Sequence, residues 1–204
     1  MKKTLRLLGM MALTVAAFAI TFTSCKKEDE DENEKPLAPF TYTFEDVANW
    51  EIAKSFIGYE EAEGEMFLYA AGAKDESFSF DEMYDMFDEG VFPENMLFLG
   101  LPARLGTNSY FGNVLESEMY ESCILFVTGR TEMMGNVIPT GWYSKNVDAT
   151  ISKFDLTSMK VTTTLTARML DIANLYSDAE SPGAEKTLTV KLNEATLSDF
   201  SSLE

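Results

Sequence analysis

Two stretches near the end of the chain alternate apolar and polar residues with a period of two. Val161, Thr163, Leu165, Ala167 and Met169 fall on one face; Lys160, Thr162, Thr164, Thr166 and Arg168 fall on the other. Leu188, Val190 and Leu192 alternate in the same way with Thr187, Thr189, Lys191 and Asn193. Successive strand side chains point to opposite faces, so each stretch predicts a long strand with one buried and one wet face. That pattern belongs to antiparallel sheets, because parallel sheets are covered on both sides. Phe40-Thr41-Tyr42-Thr43-Phe44 repeats it at the start of the body. Apolar runs bounded by Gly or Pro predict three more strands: Glu65 to Ala71 before Gly72, Met96 to Leu101 before Pro102, and Cys123 to Thr128 before Gly129. Pro139-Thr140-Gly141 reads as a turn leading into Trp142-Tyr143, and Gly106 to Asn113 reads as a loop. The connection from Ile172 to Glu185 contains Ser181-Pro182-Gly183 and is long for a hairpin, with room for local structure or a binding edge.

One segment has helical spacing instead. Phe80, Met83, Tyr84 and Phe87 lie at i, i+3, i+4 and i+7, with Asp81, Glu82, Asp85, Asp88 and Glu89 on the other side. Ser79 with Glu82 fits a capping box, and Gly90 fits a C-terminal stop. The expected fold is therefore mostly β: an antiparallel β-sandwich with one short amphipathic helix, the alternative being a β-barrel. Residues 40–204 show no fixed-period repeat and are long enough to bury one core, so they read as a single domain.

The first 39 residues follow a different plan. Lys2, Lys3 and Arg6 precede an apolar stretch from Leu7 to about Phe22, which is short for a membrane-spanning helix of ~20 residues and has the plan of a secretory signal peptide. Phe22-Thr23-Ser24-Cys25 follows it and resembles the lipobox of bacterial lipoproteins, with Phe22 where that family usually has Leu. The resemblance implies removal of residues 1–24 and a lipidated Cys25, and so a membrane contact through the lipid anchor. Several acyl chains at one residue hold far better than the marginal single chain. Lys27-Glu28-Asp29 resembles the export signal that sends some lipoproteins of Gram-negative bacteria to the outer-membrane surface. The resemblance ends at residue 35 and implies nothing about the fold of the body. Physically, the acidic run Glu28 to Glu34 also suits a solvated tether, since like charges repel and keep the chain extended. Residues 25–39 are thus a lipidated Cys and acidic tether, closed by Pro36 and Pro39.

Charge narrows the partners. The chain of 204 residues has 16 Lys and Arg against 34 Asp and Glu, a formal net charge of −18. From Pro36 onward the counts are 10 and 28, so the body alone carries −18. An acidic body disfavours nucleic acid, which requires a clustered basic face. There is no His, which removes Ser-His-Asp and Cys-His catalysis and His-ligated zinc. No cofactor motif is found. With Cys25 lipidated, Cys123 is the remaining thiol, inside the β-like run Cys123 to Val127; its expected role is a small buried hydrophobe, since no cation adjoins it to activate a nucleophile.

Three constellations remain. The acids from Asp81 to Glu89 spread over a helix face and lack a calcium-loop pattern, so they read as a solvated face. Glu60, Glu61, Glu63 and Glu65 precede a strand; paired carboxylates carry glycoside hydrolysis only when set across a cleft, and the expected reading is an exposed turn. Tyr110, Phe111, Trp142 and Tyr143 lie in or near expected loops, with Asn108, Ser109 and Asn113 beside the first pair. Exposed rings stack on the CH face of a sugar while amides and hydroxyls bond its hydroxyl groups; the competing reading, strongest for Trp50 and Trp142, is core packing. The sequence therefore points to a non-catalytic, lipid-anchored binding protein for a glycan or protein ligand. A structural or assembly role in the envelope is the alternative, and a carboxylate-dependent glycan hydrolase ranks last.

Overall fold

The computed structural model describes residues 38–47, 49–62, 64–83, 92–112, 122–133, 136–176 and 183–200. Ten strands follow in chain order: β1 (Phe40–Phe44), β2 (Lys54–Ala62), β3 (Glu65–Ala73), β4 (Met96–Pro102), β5 (Gly106–Phe111), β6 (Cys123–Met133), β7 (Asn136–Asp155), β8 (Lys160–Asp171), β9 (Lys186–Thr196) and β10 (Ser198–Asp199). A 3-10 turn, Ile172–Tyr176, follows β8.

All ten strands belong to one sheet, in the order β1-β9-β8-β7-β6-β4-β3-β2-β10, with β5 paired to β7 beside the end of β6. Every pairing is antiparallel except that of β10 with β2. Only Leu197 separates β9 from β10, so the far end of the sheet returns to the chain beside which it began. The sheet thereby curls into a half-barrel. The two separate sheets of a sandwich are not formed by these strands, and the barrel alternative fits the curl. The capping box is present: Ser79 N–H donates to Glu82 Oε2 at 2.8 Å and Glu82 N–H to Ser79 Oγ at 3.1 Å. It starts a helical turn at 80–83; Tyr84, Phe87 and Gly90 lie outside the described residues.

The inner face carries the main core. Leu97, Leu99, Ile124, Phe126, Ile151, Leu165 and Leu188 meet there, with Phe44 of β1 against Phe126 at 4.9 Å. A second cluster covers the outside of β3, β4 and β6: Ala71, Met96, Phe98 and Leu125 lie under Phe78, Met83 and Phe200. β4 is therefore buried along its whole length, which is why its sequence is a continuous apolar run. β8 and β9 have one wet face, as their alternation predicts: Val161, Thr163, Leu165, Ala167 and Met169 are buried, and Thr164, Thr166 and Arg168 are exposed.

Three stretches differ from expectation. Pro139-Thr140-Gly141 is no turn but part of β7, where Gly141 faces a register shift between Val127 and Gly129. Glu60 and Glu61 belong to β2, and the Gly106–Phe111 stretch is β5 rather than a loop.

Exposed strand edges invite pairing with other chains. On β1, Phe44 N–H donates to Asn49 Oδ1 at 2.9 Å and Asn49 Nδ2 donates back to Phe44 O at 3.3 Å. Trp50 N–H donates to Tyr42 Oη at 2.7 Å. The segment after β1 thus covers that edge at Phe44.

Candidate binding face

β5 separates two neighbouring aromatics by strand alternation. Tyr110 points inward, is buried, and donates its hydroxyl to Pro102 O at 3.2 Å. Phe111 points outward and is 77% exposed, the most exposed large apolar residue among those described. Antiparallel register then fixes its neighbours. Phe111 pairs with Asn146, and Asn146 with Arg168. One step along, Ser109 pairs with Asp148, and Asp148 with Thr166. A further step joins Thr107, Thr150 and Thr164. Directly paired residues share a face, so these nine positions form a patch of roughly 10 by 14 Å on the outside of β5, β7 and β8.

The patch is polar around one ring. Ser109 Oγ donates to Asp148 Oδ1 at 2.5 Å, and the Thr107 and Thr150 hydroxyls lie 3.0 Å apart. Asn146 Oδ1 is buried and has no hydrogen-bond partner. Arg168 Nη1 lies 3.8 Å from Glu185 Oε2, while Lys145 Nζ holds Glu185 Oε1 at 2.6 Å. That Lys145 bond, followed by the charges of Lys145 and Arg168, keeps the Glu185 carboxyl below its ordinary value.

Of the four aromatics the sequence singled out, only Phe111 is open to a ligand. Tyr143 is buried in the outer cluster, on the opposite face of the sheet from Tyr110. Trp142 is half-buried, edge-on to Phe44 at 5.2 Å, with Lys186 Nζ 5.4 Å above its ring. Trp50 stacks on Phe126 at 5.7 Å. Both indoles pack against the inner core. All four candidates lie in strands, and they do not converge. The sequence reading missed Asn146, Asp148 and Arg168; their placement beside Phe111 depends on pairings between segments far apart in the chain.

The other candidates resolve by geometry. Glu60 and Glu61 are neighbours on a strand, so their side chains leave opposite faces of β2. Glu65 is tied to Arg104, whose Nε donates to Oε1 at 2.6 Å, and Glu63 lies outside the described residues. An open groove of about 650 Å³ is lined by Lys74, Asp75, Glu76, Glu82, Glu94 and Arg130 among others. Its Asp75 accepts Ser77 N–H at 2.9 Å, which holds that carboxyl below its ordinary value, and Glu82 is engaged in the capping box. No group of three or more acidic or Cys side chains placed to hold a metal occurs among the described residues. Cys123 is half-buried where it packs against the outer cluster, not fully buried as its apolar run suggests; desolvation there pushes its thiol up to about 12, so it stays protonated at neutral pH. Cys25, Lys27, Glu28 and Asp29 lie outside the described residues.

No family model, no curated protein and no solved structure matches the chain.

Proposed function

We propose that this is a lipid-anchored, non-catalytic binding protein of the outer membrane, exposed at the cell surface, and that it meets a glycan on the outer face of β5, β7 and β8. One observation carries the reading: Phe111 stands 77% exposed on an ordered strand amid planar and hydroxyl-bearing side chains. Leaving an aromatic ring in water forgoes roughly 1.5–3 kcal/mol of burial, and a ligand with an apolar face recovers part of it. Sugars have that face, together with hydroxyls that Asn146, Asp148 and Ser109 are placed to bond. The anchor and surface address rest on the lipobox-like Phe22-Thr23-Ser24-Cys25 and on Lys27-Glu28-Asp29. An assembly role in the envelope is the second reading, supported by the inward packing of Tyr110, Trp50 and Trp142.

The test begins with protease shaving of intact cells beside a periplasmic control protein. Release of the domain with the control intact supports surface exposure; protection of both refutes it. The released domain is then applied to a glycan array, where binding to a defined structure is expected and silence across the array favours the assembly role.

A further inference from the structure

Three large apolar residues stand exposed among those described: Phe111, Leu105 and Leu156. The last two share one end of the sheet. Leu105 directly precedes β5, whose first residue, Gly106, pairs with Ile151 of β7. Leu156 stands in the turn that leaves β7, where Asp155 pairs with Lys160 of β8. Leu105 is 65% exposed and Leu156 40%. Phe111 lies six residues further along than Leu105, roughly 20 Å away at the rise of a strand.

The same end receives the chain from its N-terminal segment. Asn193 N–H donates to Pro39 O at 2.9 Å, and Phe40 pairs with Leu192 of β9. Lys160 of β8 pairs with Thr196 at the end of β9. Pro39, the β7–β8 turn and the start of β5 therefore lie on one rim. Thirteen residues, 26–38, separate Cys25 from Pro39 and span at most about 45 Å. A body held that close to a membrane meets the lipid at high effective concentration, so a contact too weak to bind alone can still set its orientation.

Charges beside the two leucines are already engaged. Arg104 Nη2 lies 2.6 Å from Glu65 Oε1, next to Leu105, and Lys153 Nζ lies 2.9 Å from Glu194 Oε2, near Leu156. Asp155 Oδ1 accepts the Thr157 and Ser158 N–H groups at 2.9 and 3.2 Å, and Lys160 Nζ donates to Thr196 Oγ1 at 2.7 Å. Bringing paired charges toward an apolar layer costs less than bringing isolated ones, while each leucine gains by leaving water. Glu61, near the end of β2, faces the same rim, so a zwitterionic surface suits it better than an anionic one.

We infer that this rim docks on the lipid surface in which Cys25 is anchored. Leu105 and Leu156 enter the boundary between headgroups and acyl chains, and the Phe111 row is held away from it. The docking rests on the lipid anchor proposed above, and adds to it the side of the body that faces the membrane.

The mature lipidated chain in phosphatidylcholine vesicles with brominated acyl chains tests this. Tryptophan is introduced singly as Leu105→Trp, Leu156→Trp and Phe111→Trp, all at exposed positions that leave the core intact. The parent, whose Trp50 and Trp142 pack against the inner core, supplies the background. Flotation with the vesicles reports the anchor, and quenching relative to unbrominated vesicles reports the docking. All four proteins are expected to float. Leu105→Trp and Leu156→Trp should lose fluorescence beyond the parent and shift to the blue, whereas Phe111→Trp should be quenched no more than the parent. Flotation without added quenching at positions 105 and 156 overturns the docking and leaves the anchor standing. Equal added quenching at all three positions also overturns it, because the body then has no preferred side. Failure to float overturns the anchor and the docking together.

Discussion

Phe111 and Phe126 show how one residue type takes opposite roles. Phe126 is fully buried between Phe44, Tyr42 and Trp50. Replacing it with Ala removes core contacts and should lower unfolding free energy by about 3–5 kcal/mol. Phe111→Ala touches no core and should stay within about 0.5 kcal/mol of the parent; urea titrations of the two variants check both expectations. Titration gives a second residue-scale outcome. Burial raises the Cys123 thiol from 9.0 to about 12 and the Tyr42 hydroxyl from 10.0 to about 12. Both groups must be neutral when folded but ionise at lower pH when unfolded. Their stabilising contribution is complete below about pH 9, falls as pH rises, and is gone above about 12. Thermal melts should drop from about pH 9 upward, and Cys123→Ala should delay the onset; an unchanged profile in that variant would remove the thiol from the account. The sequence located Phe111 as a candidate aromatic, but its exposure and the burial of Tyr110 follow from strand parity, which the polar stretch Gly106–Ser109 concealed.

The elements divide by what shapes them. β8 and β9 were legible because each has one wet and one buried face, so local alternation records the fold directly. β4 was legible as an apolar run, though its burial on both faces comes from two different clusters. β5 and β2 were not: Thr107, Asn108 and Ser109 hide the parity of β5, whose partner β7 is distant in sequence, and in β2 Ser55, Gly58, Glu60 and Glu61 break the apolar pattern although its partner β3 follows after two residues. β7 hid a Pro-Thr-Gly triplet whose local turn preference yields to pairing with β6. Gly141 is what permits it. Its φ of 146° lies in the region side chains avoid, and a Cβ there would collide with the Phe126 carbonyl. Gly141→Ala should therefore destabilise the protein by about 3 kcal/mol or more in denaturant unfolding, against near-neutrality for Gly129→Ala. Equal effects at the two positions would mean that the register shift, and not the Gly141 backbone, carries the strain.

At the scale of the molecule, charge is distributed unevenly. Residues 38–133 carry 4 basic and 19 acidic side chains, whereas residues 136–200 carry 6 and 8. The proposed face, drawn mostly from β7 and β8, falls in the nearly neutral part. A neutral ligand can approach that face with little electrostatic penalty. In whole cells, Cys25→Ala should leave an unlipidated precursor that is not cut at that site; normal processing of the variant would refute the anchor. A direct binding measurement reaches the Phe111 face. The glycan identified on the array is titrated against the parent and Phe111→Ala proteins by calorimetry. A loss of tenfold or more in affinity, with the melting temperature unchanged, is the predicted result. Equal affinity in the two proteins would place the ligand elsewhere and contradict the account.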